Sequence, residues 1–353
     1  MATLRDIAAR AGTSLATVSR VLNGHPSVDP TLAARVLSTA SELGYTRNNR
    51  RKNEKQTIAV LVTWPSTSPT EGKQDNMFAM TYIHAIYITA ERMGYHLDFH
   101  FGEASGNLNP HLQSQIATQR FRGAIIVGSY FAMEETYVKS LQAAGIPFFR
   151  LSKAPPEYKV PQSYVAVDDY AGGYRAGMHL LSTGISKVLH IAGPLNSRDA
   201  IERKQGFAQA CKEHGIPEEN IAVFRGDFHE SSGKRCAREL LQSGDYPEGI
   251  FAANDMMAIG CMRTLQEHGI RFPRDIKIVG FDDLILSSYV EPGLTTIRVP
   301  FVDIARVAIE ELVRQIECPV RKTTKVVLDG ELIVRESCGT KTHASGGDRR
   351  RLK

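Results

Sequence analysis

Residues 3–23 read TLRDIAARAGTSLATVSRVLN, and the spacing of their apolar positions decides the first part of the fold. Leu4, Ile7 and Ala8, then Val18, Val21 and Leu22, recur at helical intervals and predict two short amphipathic helices. Gly12 permits the tight turn between them, and Ser14 is a good N-cap for the second. A third helix follows from Leu32, Val36, Leu37, Ala40 and Leu43, with Asp29 as its cap, Pro30 in its first turn and Gly44 as its stop. Two helices joined by a short glycine turn are the proportions that let the second lie in a major groove of DNA.

Beyond this bundle lies TRNNRRKNEKQT (46–57), which has no apolar side chain to bury and reads as a linker between two cores. The texture then changes. IAVLV (58–62) is an apolar run of strand length, and the amphipathic stretch from Phe78 to Met93 follows it. YHLDFHF, GAIIVG, IPFFRLS, YVAV, VLHIAG, AVFRGD, GIFAAN and IKIVGFDD continue the series, with helical patterns near 110–120, 134–144, 171–182, 199–214, 232–242 and 256–268. Alternation at this rhythm predicts doubly wound parallel sheets, and so many strands call for two lobes with a ligand cleft at the carboxyl ends of their strands. The expected class is therefore an all-α helix-turn-helix headpiece plus a two-lobed α/β core.

Composition narrows the function. The 353 residues are 42% hydrophobic and 23% charged, an ordinary globular balance, with a net charge of only +5. The basic residues are clustered, however, at Arg47, Arg50, Arg51, Lys52 and Lys55 and again at Arg349, Arg350, Arg351 and Lys353, which suits a nucleic-acid partner. Five scattered cysteines without metal-ligand spacing point to a reduced compartment and no metal or cofactor. MATLRDIAARAG is no secretory leader and no run is long and apolar enough to span a bilayer, so a cytoplasmic protein is expected.

Within the headpiece, Leu15, Ala16 and Arg20 are the positions that would face base edges. Arg20 could bond bidentately to a guanine, and the two apolar residues could contact thymine methyls. Thr3, Ser14, Thr17, Ser19 and Asn23 carry the short polar side chains suited to phosphates, which fix register without reading sequence. The same apolar positions would also build a plain three-helix bundle with no DNA role.

ATVSRVLN (16–23), preceded by L-x-D-I-A-x-x-A-G, resembles the headpiece of the LacI/GalR family of bacterial regulators. The resemblance continues through ERKQGFAQA (202–210), GDF-x-x-x-SG (226–233), FAANDMMAIG (251–260), IVGFDD (278–283) and EPGLTTIRVP (291–300), which look like the family's periplasmic-binding-protein-like core. It implies a headpiece over 1–46, a hinge over 47–57, a core over 58–340 and a basic disordered tail over 341–353. Lobe 1 would hold about 58–163 and 292–322, and lobe 2 about 164–291 and 323–340. The resemblance further implies a homodimer, with a tetramer left open, on a near-palindromic operator, controlled by cleft closure around a small effector. Carried over place by place, the effector residues are Phe78, Asp199, Arg203, Phe228, Asn254 and Asp282. Arg203 would fork onto the ligand while the carboxylates accept its donors, which points to a sugar or sugar acid before a nucleobase. Each also has a plainer reading, as core aromatics or strand-end caps.

The hinge departs from the family's usual Y-x-P-N-x-x-A-R-x-L. After Tyr45, Arg47 stands for the proline, Asn48 is as expected, Arg51 replaces the alanine, Lys52 the arginine and Glu54 the leucine. Asn48 and Arg51 are expected on phosphates. A glutamate cannot serve as the minor-groove wedge, because burying a carboxylate among bases is costly. Enzyme motifs are missing: there is no GxSxG, HExxH or strand-following GxGxxG, and Gly233-Lys234 lacks the spacing of a phosphate loop. Asp168 and Asp169 are expected to cap the helix after YVAV. A solute-binding protein remains the alternative, one that would have no use for residues 1–45.

Overall fold

The computed structural model describes residues 3–22, 28–43, 57–63, 77–101, 108–128, 131–153, 162–318 and 323–339. Asn23, Gly44, Asn48, Arg51, nearly all of the basic hinge and the whole tail lie outside the described residues. The chain divides into two compact units, Met1–Lys55 and Gln56–Lys353.

The first unit contains α1 (Leu4–Ala11), α2 (Leu15–Leu22) and α3 (Pro30–Glu42). Thr3 and Asp6 form a reciprocal capping box at the start of α1, and Gly12 ends that helix in the left-handed conformation at φ +61°. Ser14 accepts from the Thr17 amide at 3.1 Å, and Asp29 accepts from the Thr31 and Leu32 amides at 3.0 Å, so the punctuation acts as the sequence predicts. Ile7, Ala8, Ala11, Val18, Val21, Val36 and Ala40 form the core, with Leu4, Leu22, Leu32 and Leu43 packed against it. Leu37, expected inside, is 52% exposed.

In the second unit the strands are β1 (Thr57–Val62), β2 (His96–Phe101), β3 (Gly123–Val127), β4 (Phe148–Arg150), β5 (Tyr164–Val167), β6 (Val188–Ala192), β7 (Ile221–Arg225), β8 (Gly249–Ala252), β9 (Lys277–Asp282), β10 (Thr295–Arg298), β11 (Lys325–Leu328) and β12 (Glu331–Ile333). The helices are α4 (Met77–Arg92), α5 (Pro110–Ala117), α6 (Phe131–Ala143), α7 (Asp169–Leu181), α8 (Arg198–Glu213), α9 (Glu230–Ser243), α10 (Asp255–Gln266) and α11 (Phe301–Glu317). Two six-stranded sheets result. The first runs β11-β5-β4-β3-β1-β2 and the second β12-β10-β9-β8-β6-β7. Among the described residues every pairing is parallel except β10 with β12.

The pairings correct the expected lobe boundaries. β5 and β11 were assigned to lobe 2 but pair with each other in the first sheet, and β10 was assigned to lobe 1 but lies beside β9 in the second. The chain therefore crosses between lobes after β5, after β10 and after β11. The reason is pairing at long sequence separation, which puts the parallel partner of Tyr164 at Lys325. The crossings are joined to one another: the Asp168 amide donates to the Leu328 carbonyl at 2.8 Å, and Arg298 bonds Asp283 at 2.7 Å and Glu331 at 3.2 Å. Helix α11, which follows the second crossing, buries Phe301, Ile304, Ala305, Ala308, Ile309 and Leu312.

The four edge strands β2, β7, β11 and β12 consist of half-buried or exposed residues. His96 on β2 is accordingly exposed. His190 on the central β6 is a core histidine: its Nδ1 bonds the Phe251 carbonyl at 2.9 Å, its ring stacks on Phe251 and Phe207, and burial pushes its pKa down to about 4.

The closest approach of elements is between α7 and α8. A Cβ built on Gly173 would lie 2.1 Å from the Arg203 carbonyl oxygen, and one on Gly206 would lie 2.0 Å from the Tyr170 carbonyl oxygen. Neither neighbour is a flexible side chain, so the helices must separate to admit a methyl group. Gly173→Ala is expected to destabilise the core by roughly 1–3 kcal/mol, the usual range for overpacking; urea unfolding measures it, and an unchanged midpoint refutes the contact.

Candidate DNA-reading face and effector cleft

On α2 the side chains divide cleanly. Val18 and Val21 are buried, whereas Ser14, Leu15, Ala16 and Arg20 are exposed and Thr17 and Ser19 are half-buried. Leu15 is 44% exposed and so is free to contact a partner. The short polar residues have structural employment as well: Thr3 bonds Asp6, and the Ser14 and Thr17 hydroxyls lie 2.9 Å apart. Any phosphate contact they make shares a hydroxyl with a cap.

The second unit brings Asp199, Arg203, Phe228, Asn254 and Asp282 to one end of the lobe 2 sheet. Arg203, on the buried face of α8, is 4% exposed. Its Nε donates to Asp169 Oδ1 at 2.8 Å and Nη1 donates to the Ala253 carbonyl at 2.7 Å, with Asp282 Oδ1 at 3.5 Å. The guanidinium lies over Phe281, 3.7 Å from the ring centroid, with Phe228 at 5.7 Å. The expected fork onto a ligand is thus made to protein acceptors.

Asp169 is the residue the sequence reading set aside. Asp168 does cap α7, accepting from the Ala171 amide at 2.9 Å, but Asp169 one position later turns inward, 1% exposed, to pair with Arg203. The signal available was the doubled aspartate: one cap needs one carboxylate. Burial pushes the Asp169 carboxyl up to about 7, with Arg203 opposing the rise. Burial likewise drives Asp282 well above the usual carboxylate range. Asp282 and Asp283 also hold positive φ, +120° and +56°, at the end of β9, where backbone strain often accompanies a binding site.

The other candidates divide. Phe228, at φ +71° and 9% exposed, packs over Gly193. Asn254 caps α10, accepting from the Met257 amide at 3.0 Å and donating to the Phe228 carbonyl at 2.8 Å, so its amide holds Phe228 in place. Asp199 sits half-buried in the first turn of α8. Phe78 is in the first turn of α4 and packs edge-on against Tyr82 and Phe301 at 5.1 and 5.5 Å. Tyr82 was not foreseen: fully buried on lobe 1, its hydroxyl is held un-ionised by burial and by the carboxylates of Asp199, Asp169 and Asp282 on lobe 2. Lys153, just past β4, pairs with Glu202 on α8, which also receives Arg198 at 2.8 Å. Lys153 and Glu202 thus form an enclosed ion pair between the lobes.

A model of the bacterial regulatory proteins of the lacI family matches residues 3–48, and one of the periplasmic binding protein-like domain matches residues 178–338. The transcriptional regulator CelR of Thermobifida fusca is 30% identical over 95% of this chain and 98% of its own. A solved CelR–cellobiose complex superposes with a TM-score of 0.71 at 29% identity, covering 96% of this chain and 100% of that one. The lac repressor dimer bound to operator and the anti-inducer ONPF gives 0.77 at 25% identity, covering 96% and 99%. The fold and site define a DNA-binding transcription regulator with a periplasmic-binding-protein-like sensor core. The chain belongs to the LacI family of bacterial regulators, and its relatives are regulators of transcription, not enzymes. Among the described residues no helix is long and apolar enough to cross a membrane.

A carboxyl whose folded pKa is raised from 3.8 to about 7 binds its proton more tightly in the folded state. Its contribution favours folding at acid pH and is lost as pH climbs between those values. Asp169→Asn removes that term, so the fall in melting temperature from about pH 5 to about pH 7.5 is expected to be shallower in the variant; parallel profiles would show that Asp169 is ionised throughout.

Proposed function

We propose that this protein is a cytoplasmic repressor that binds a near-palindromic operator as a homodimer and is controlled by a sugar-like effector held between the lobes. The observation that carries the reading is the exposed Leu15, Ala16 and Arg20 face of α2, set opposite a buried Val18 and Val21 in a unit that matches the family's headpiece. Kinship with CelR, solved with cellobiose, and with the lac repressor, solved as a dimer on its operator, supports the effector class and the assembly. Ile285 and Tyr289, 64% and 78% exposed on lobe 2, supply apolar surface suited to a partner subunit. An effector acts by binding one lobe arrangement better than another, and a difference of affinities is all that control of DNA binding needs.

Arg20→Ala is expected to weaken binding to the selected operator by roughly 1–3 kcal/mol while leaving random duplex nearly unaffected. Fluorescence anisotropy on both duplexes measures this, and equal losses would reduce Arg20 to a phosphate contact. With Glu54 in the wedge position, operator fragments carrying the site at different distances from their ends are expected to migrate alike in a gel; strong position dependence would reveal a central kink and overturn the hinge reading.

A further inference from the structure

The charges around the cleft do not balance, and the imbalance bears on what can enter it. Arg203 is the sole guanidinium at the inner end of the site among the described residues, and Asp169, Asp199 and Asp282 all act on it. Its Nε edge is held by Asp169, its Nη1 by the Ala253 carbonyl and Asp282, and its face by the Phe281 ring. Lys153 at the lobe boundary is matched by Glu202, which Arg198 also meets. Asp255, buried behind Asp282, adds a fourth carboxyl that takes Ser287, Thr296 and the Leu284 amide. Cations are therefore already paired with protein acceptors, whereas carboxyls stand in excess. An incoming carboxylate could fork onto Arg203 only by displacing Asp169 from Nε or the Ala253 carbonyl from Nη1, and a displaced Asp169, 1% exposed, would be left buried without its partner.

We infer that Asp169 is a specificity-determining residue of the effector cleft, which together with Asp199 and Asp282 selects a hydroxyl-rich effector that donates hydrogen bonds and carries no negative charge. The inference rests on the proposed role of the cleft as a sugar site and narrows it, removing sugar acids from the expected class. Neutral carbohydrates meet the acceptors with hydroxyl donors, and an amino sugar adds a cation that the excess carboxyls favour. Asp169 acts here through its position: it occupies the Nε edge of the arginine on which an anion would fork.

The test is isothermal titration of the full-length protein with neutral sugars (cellobiose, ribose, glucose), glucosamine, and the sugar acids gluconate and glucuronate. The expected result is binding by a neutral or amino sugar at least about ten-fold tighter than by any of the acids, a gap of about 1.4 kcal/mol. Asp169→Asn should narrow that ratio, and Asp199→Asn, at a half-buried position, should narrow it too if the first variant fails to fold. A sugar acid that binds the wild-type protein as tightly as its neutral counterpart overturns the charge selection. If that acid also changes operator affinity, the repressor reading stands and only this inference falls. Absence of binding by all of these compounds overturns the sugar site itself, and the inference with it.

Discussion

The buried pair of Arg203 and Asp169 is the contact on which the sensor core depends. It joins two helices at the point where glycines let their backbones nearly touch, and it sits one residue past the first crossing between the lobes. An ion pair so enclosed brings little net stability by itself, because desolvation offsets much of the attraction. Losing either partner is another matter, since it strands a charge among Phe281, Phe228 and the strand ends. The pair is thus better understood as fixing an arrangement: it sets the rotation of α8 and the position of the first hinge crossing, and through Ala253 it reaches the strand end from which Asn254 supports Phe228.

This arrangement explains why several residues expected to touch an effector are occupied with one another. Asn254 holds Phe228, Asp169 holds Arg203, and the strained Asp283, next to Asp282, bonds the second crossing through Arg298. Bonds of this kind preorganise a site, so that an entering ligand meets groups already oriented and need not order them itself. They also mean that ligand contacts and hinge contacts share side chains, which gives a small molecule direct purchase on lobe position.

Much of this was legible in the sequence. The headpiece was, because its caps are local: Ser14 and Asp29 each act within three residues. The β/α alternation was legible for the same reason, since parallel strands such as β1 and β8 are continuous apolar runs. The three crossings were not, because β10, β11 and β12 are only three or four residues long and the partner of β11, β5, lies far back in the chain. Helix α11 carries a clear helical repeat from Phe301 to Leu312, yet an alternation-based reading that ends at GFDD passes over it. Asp169 was hidden behind its neighbour, as two adjacent carboxylates look alike until one is seen to be buried. Leu37 shows the opposite limit, an apolar residue in register that still faces outward.

The three covalent crossings between the lobes also have a mechanical meaning. A single tether would let one lobe swivel freely on the other, whereas three strands of backbone, bonded sideways from Asp168 to Leu328 and from Arg298 to Glu331, form a short ribbon that resists torsion and yields most easily by folding across its width. Motion in the sensor is thereby confined to about one axis, so that binding energy released at the cleft is spent on a single reproducible displacement and not dispersed among many.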